Sequence, residues 1–270
     1  ARERAEAADA MNVYDFHRGT APLLISIPHS GTEVPEALAH RLTVVGRGLP
    51  DTDWHVHLLY DFARTLGASI IKANYSRYVV DLNRSPDSAS LYANNPTSPV
   101  CPIETFAGSF IYMAGHEPDE HEIAARIEQY WRPYHERIAT ELAALRAAHG
   151  KALLWDAHSI ASEIPGLFEG VLPEFNFGTR DGASCPRALS EALQQIVARD
   201  GEFGAVLDGR FKGGYITDHY GKPATGVYAV QLELARRAYM NEGTEQVWDA
   251  QHAERAQALI SRLLSRYLSI

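Results

Sequence analysis

Two short apolar runs, far apart in the chain, each end in a histidine. Lys151-Ala152-Leu153-Leu154-Trp155 leads into Asp156, His158 and Ser159, and Pro22-Leu23-Leu24-Ile25-Ser26-Ile27-Pro28 leads into His29, Ser30 and Gly31. Continuous apolar runs of this length are what buried strands of a parallel sheet look like. Open α/β sheets carry their chemistry just past the carboxyl ends of such strands. The pair therefore predicts an α/β fold with a mixed, mostly parallel sheet and helices on both faces. A chain of 270 residues is long enough to bury a large core as a single domain, 1–270.

The rest of the pattern fits that frame. Val56, Leu59, Tyr60, Ala63 and Leu66 recur at helical spacing, after a start near Asp51 or Asp53 and before a stop at Gly67. Ala68 to Ala73 and Tyr78 to Leu82 read as strands, and Ser85 to Gly115 as an irregular pocket wall. Glu117 to His149 has a helical period that Pro133 should kink or split. A Gly- and Pro-rich segment follows from Pro165 to Cys185, then a helix from Pro186 to Arg199 and a strand from Phe203 to Leu207. Phe211 to Tyr215 reads as a turn, Thr225 to Leu234 as a strand, and Thr244 to Leu268 as a closing helix. No repeat or linker divides the chain.

A net charge of −9 argues against nucleic acid and against an anionic membrane surface. Two cysteines are too few for a disulfide framework, and the Ala-, Glu- and Arg-rich N-terminal segment has no apolar core of a signal. The expectation is a cytoplasmic protein acting on a small molecule, with the oligomeric state open.

One histidine alone is more often a hydrogen-bonded structural residue. Two at equivalent strand ends suggest two ligands of one metal. A catalytic zinc takes three protein ligands and leaves one position open, so a carboxylate is also required. Asp51 and Asp53 would suit the start of a helix. Glu233 lies inside an apolar strand, where a carboxylate must be paired, protonated or bound. It is either the partner of Arg236 or Arg237, or a general base with a raised pKa. Arg77, Asn83-Arg84 and Arg180 lie in segments that reach the strand ends, where a guanidinium can hold a carboxylate.

Together, Pro28-His29-Ser30-Gly31, Asp51-Thr52-Asp53-Trp54-His55, Ser76 to Arg84, Asp156-Ala157-His158-Ser159 and Gln231-Leu232-Glu233-Leu234 resemble the N-formylglutamate amidohydrolases. The resemblance runs from about Val13 to Met240. That family looks related to zinc carboxypeptidases and aspartoacylases, whose Asp-Leu-Asn-Arg segment is like Asp81 to Arg84 and whose late glutamate is like Glu233. It implies a zinc that activates water, a glutamate base at Glu233 and arginine recognition of substrate carboxylates. Where carboxypeptidases carry the metal carboxylate, three residues after the first histidine, this chain has Thr32, which leaves Asp53, Asp51 and Glu33 as the candidates, in that order. The same motifs would suit a sister deacylase acting on another acyl group. A non-catalytic metal-binding protein would need neither Glu233 nor the arginines.

Overall fold

The computed structural model describes residues 12–92, 98–243 and 245–270. The N-terminal segment, residues 93–97 of the pocket wall and Thr244 lie outside the described residues. The fold is α/β around one seven-stranded mixed sheet. Its strands are β1 (Tyr14–His17), β2 (Leu23–Ile27), β3 (Ser69–Ala73), β4 (Ala152–Ile160), β5 (Phe175–Gly178), β6 (Ala205–Leu207) and β7 (Val227–Ala235). They lie in the order β1-β3-β2-β4-β7-β5-β6. Pairing is parallel for β3/β2, β2/β4, β4/β7 and β5/β6, and antiparallel for β1/β3 and β7/β5.

The helices are α1 (Glu36–Ala39), α2 (Val44–Arg47), α3 (Val56–Leu59), α4 (Glu120–Arg126), α5 (Arg132–His149), α6 (Arg187–Asp200), α7 (Tyr215–Tyr220) and α8 (Ala250–Leu268). Among the described residues there are two large hydrophobic cores and a smaller cluster around Ile160, Ile164, Leu172 and Ala235. Leu23, Ile25, Leu153, Trp155, Val230 and Leu232 pack with α3, α6 and α8, whereas Leu24, Leu154 and Ala229 pack with α5. Because strand side chains alternate between faces, Asp156 and His158 share a face with Leu154, and Gln231 and Glu233 share one with Ala229. On that face the central strands change from apolar to polar toward their carboxyl ends.

Several local expectations change. Tyr78 to Leu82 is a buried turn rather than a strand: β3 is already paired on both edges, so its apolar side chains pack in the core without joining the ladder. Asp51 and Asp53 do not start a helix, because α3 begins only after His55. The long helix is interrupted before Pro133 by a π turn at Ile127–Trp131. The strands β1 and β5, four residues each, and the six-residue α7 were too short to show a period. Among the described residues no helix is long and apolar enough to cross a membrane.

Candidate active site

The polar strand ends meet at the floor of a cavity of about 720 Å3. His29 leaves β2, His158 lies near the end of β4, and Asp53 comes from the loop before α3, where its backbone N–H donates to the His29 carbonyl at 2.9 Å. All three are at least 97 % buried. One potential donor atom from each lies within 4.8 Å of the others.

Each imidazole is held from outside by a carboxylate. His29 Nε2 lies 2.8 Å from Asp81 Oδ1, and His158 Nε2 lies 2.8 Å from Asp156 Oδ2. That leaves both Nδ1 atoms turned to Asp53 Oδ2, at 3.8 Å from His29 and 3.1 Å from His158. Donor atoms around a tetrahedral zinc, with bonds of about 2.0 Å, are separated by about 3.3 Å, and the observed distances bracket that. His29 Nδ1 is buried without a hydrogen-bond partner, an arrangement that normally carries a cost of about 1–3 kcal/mol. A cation at this point would satisfy it, and a carboxylate on the far nitrogen of each histidine is the usual support for a metal ligand.

The charge distribution agrees. Burial and the Arg77 charge hold His29 below its ordinary pKa despite Asp81 and Asp53. Burial works against a charged His158, but Asp156, Asp53 and Glu233 outweigh it and raise its proton affinity well above normal. Burial also opposes ionisation of Asp53, yet the hydrogen bond from His158 and the charges of His29, His158 and Arg77 leave its pKa lowered. The acids that attract a proton to His158 would equally attract a dication.

Glu233 is the register partner of His158 on the adjacent strand, which puts their backbones about 4.8 Å apart. Burial, opposed by His158 and Arg77, pushes its carboxyl up to about 7. Gln231 Nε2 donates to Glu233 Oε2 at 3.1 Å. Neither arginine proposed as its partner reaches it: Arg236 donates to the Pro50 and Thr52 carbonyls, and Arg237 pairs with Glu174.

The other expected residues separate. Asp51 accepts from the Tyr78 hydroxyl at 2.7 Å and the Phe106 N–H at 3.0 Å, and burial raises its pKa. Glu33 is exposed and bridges Tyr75 through its backbone. Neither joins the two histidines. Arg77 lines the cavity, but its Nη2 donates to Asp81 Oδ2 at 2.6 Å. Arg180 does not line the cavity; it pairs with Asp218 at 2.7 Å.

Arg84 does line the cavity. Its hydrogen bonds go to Ser98 Oγ and the Asn83 carbonyl, with no ion-pair partner among the described residues. Burial lowers its pKa, opposed by Asp81 and Glu233. Asn83 also faces the cavity but is engaged: its amide nitrogen lies 3.3 Å from Asp156 Oδ2, and its Oδ1 accepts from the Ile216 N–H at 2.8 Å. The thiols offer no rival chemistry, because burial pushes Cys101 up to about 11 and Cys185 up to about 12.

Sequence reading did not give Asp81 and Asp156 roles as holders of the histidines. The signal for Asp156 was its spacing, two residues before His158 on the same strand face. It also missed Gly214. A Cβ there would sit 2.4 Å from Asn83 Nδ2 and 2.6 Å from its Oδ1. Gly214→Ala should therefore push the Asn83 amide away and cost about 1–3 kcal/mol, the usual penalty of overpacking. A urea-unfolding midpoint unchanged from the native protein would contradict this tight packing.

A family model described as N-formylglutamate amidohydrolase matches residues 21–240. The chain is 48 % identical over 257 residues to an N-formylglutamate deformylase of Pseudomonas putida, covering 95 % of this chain and 96 % of the relative. It is 49 % identical, with the same coverage, to the N-formylglutamate deformylase of Pseudomonas aeruginosa. The crystal structure of an N-formylglutamate amidohydrolase from Ralstonia eutropha JMP134 shares the fold, with a TM-score of 0.76, 21 % identity and coverage of 96 % of this chain and 98 % of that one.

Proposed function

The chain belongs to the N-formylglutamate amidohydrolase family, and on that footing we propose that it is a zinc-dependent enzyme that hydrolyses N-formyl-L-glutamate to formate and L-glutamate, as a cytoplasmic step of histidine breakdown. The observation that carries this reading is the buried His29, Asp53 and His158 group together with Glu233 and an acid-free Arg84, which line the same cavity as the two histidines.

His29, Asp53 and His158 would hold the zinc ion. When bound, it supplies positive charge that polarises the formyl carbonyl and acidifies water. Asp81 and Asp156 fix the two imidazoles by accepting at Nε2, and Arg77 in turn holds Asp81 in place. Glu233 takes a proton from the attacking water as the new C–O bond forms at the formyl carbon. It then returns that proton to the departing nitrogen as the C–N bond breaks, so one carboxyl serves as base and then as acid. A group buried enough to be pushed up to about 7 is matched to that exchange near neutral pH. Arg84 binds a substrate carboxylate through its guanidinium and orients the scissile amide.

A cavity of about 720 Å3 has room for an acyl group larger than formyl, which keeps a sister deacylase as the second reading. Offered N-formyl-L-glutamate and N-acetyl-L-glutamate, the enzyme should release formate and glutamate in equal amounts and prefer the formyl substrate. Preference for the acetyl substrate would move the assignment to the deacylase, and hydrolysis of neither would reject both.

A further inference from the structure

Among the described residues, four arginine and lysine side chains line the cavity: Arg77, Arg84, Arg210 and Lys212. Two are already neutralised, Arg77 by Asp81 at 2.6 Å and Lys212 by Asp181 at 3.0 Å. Arg84 and Arg210 have no ion-pair partner among the described residues. Arg210 donates from Nε and Nη2 to the Leu167 carbonyl at 3.3 and 3.2 Å, and its guanidinium lies 5.6 Å from the Phe211 ring centroid. Two of its five N–H groups are thereby spent on holding its position, and three remain for a ligand. Leu167 and Phe211 are themselves part of the cavity wall.

The two free arginines enter from different segments. Arg84 follows the turn that carries Asp81, and it is close enough to Asp81 and Glu233 to feel their charges. Arg210 sits on the loop after β6, and β6 is two strands removed from β7 in the sheet, roughly 10 Å away at ordinary strand spacing. A cavity with one unpaired guanidinium near the reacting centre and a second farther out matches a ligand with two carboxylates.

We propose that Arg210 is a specificity-determining residue that binds the side-chain carboxylate of the N-acyl amino acid, while Arg84 binds the carboxylate next to the scissile amide. The inference rests on the hydrolase reading above and names the chemistry of that site's distal end. Arg180, expected from the sequence to serve the substrate, is committed to Asp218, and Arg210 stands in its place. A guanidinium fork recognises a carboxylate with two parallel hydrogen bonds, whereas a carboxamide gains much less from it.

The test compares N-formyl-L-glutamate with N-formyl-L-glutamine, its neutral isostere, in the zinc-loaded enzyme. Arg210→Ala should lower kcat/KM for the acid by roughly 30- to 300-fold, chiefly through KM, as expected for loss of a charge-assisted pair. It should leave the amide within about threefold, which also shows that the variant is folded. Arg84→Ala should weaken both substrates alike. Parallel losses on both substrates in Arg210→Ala and Arg210→Gln would show a structural role and overturn the proposal. So would an unchanged preference for the acid. A native enzyme that hydrolyses neither substrate would instead reject the hydrolase reading and this inference with it.

Discussion

His29→Ala and His158→Ala should each lose bound zinc and formate release together, with turnover down by on the order of a thousandfold or more. The size follows from the role proposed for the ion: its charge stabilisation of the transition state would amount to several kcal/mol, and each 1.36 kcal/mol is tenfold in rate. With only three protein donors in the group, deletion of one leaves two. The outer carboxylates give a graded control. Asp81→Asn and Asp156→Asn keep all three donors but disturb the orientation of the imidazoles, and should weaken metal affinity by about 10- to 100-fold. Metal analysis of the purified variants separates these cases. Full occupancy in both histidine variants would remove the metal assignment, and retention in Asp53→Ala alone would move the carboxylate ligand elsewhere.

Glu233→Gln should behave differently. It keeps the zinc and the substrate affinity but lowers kcat by about 100- to 10,000-fold, the scale of a lost general base. The sign of the pH dependence follows from burial. A carboxyl raised to about 7 is protonated, and inactive as a base, at pH 5. Native kcat/KM should therefore climb as pH rises through an acid limb. A bound dication draws that limb below 7, because positive charge favours the ionised form. Near-normal turnover of Glu233→Gln with zinc in place, or activity falling between pH 5 and 7, would show that Glu233 is not the base.

What the sequence revealed and what it concealed have a common physical reason. His29 was legible because it directly follows an apolar strand, and His158 and Glu233 because each is a polar interruption of one, where the strand fixes the side-chain direction. Asp53 could be ranked first but not decided against Asp51 and Glu33, because all three lie in loops and only tertiary contacts bring one of them to the histidines. The buried turn at Tyr78 to Leu82 imitated a strand because its side chains enter the core. The occupancy of both edges of β3, which forbids a ladder there, is a property of the assembled sheet. Arg180 and Arg210 look alike in sequence. What distinguishes them is an acid from another element, Asp218 on α7, which pairs with one and not the other.

One metal ion at His29, Asp53 and His158 should be required for hydrolysis of N-formyl-L-glutamate. Formate release should be followed in the native enzyme as purified, after chelation, and during titration with zinc. Activity should vanish with the metal and return linearly, reaching its plateau at about one equivalent of zinc per chain, as a single three-donor site requires. Full formate release by the enzyme after complete removal of metal would contradict it.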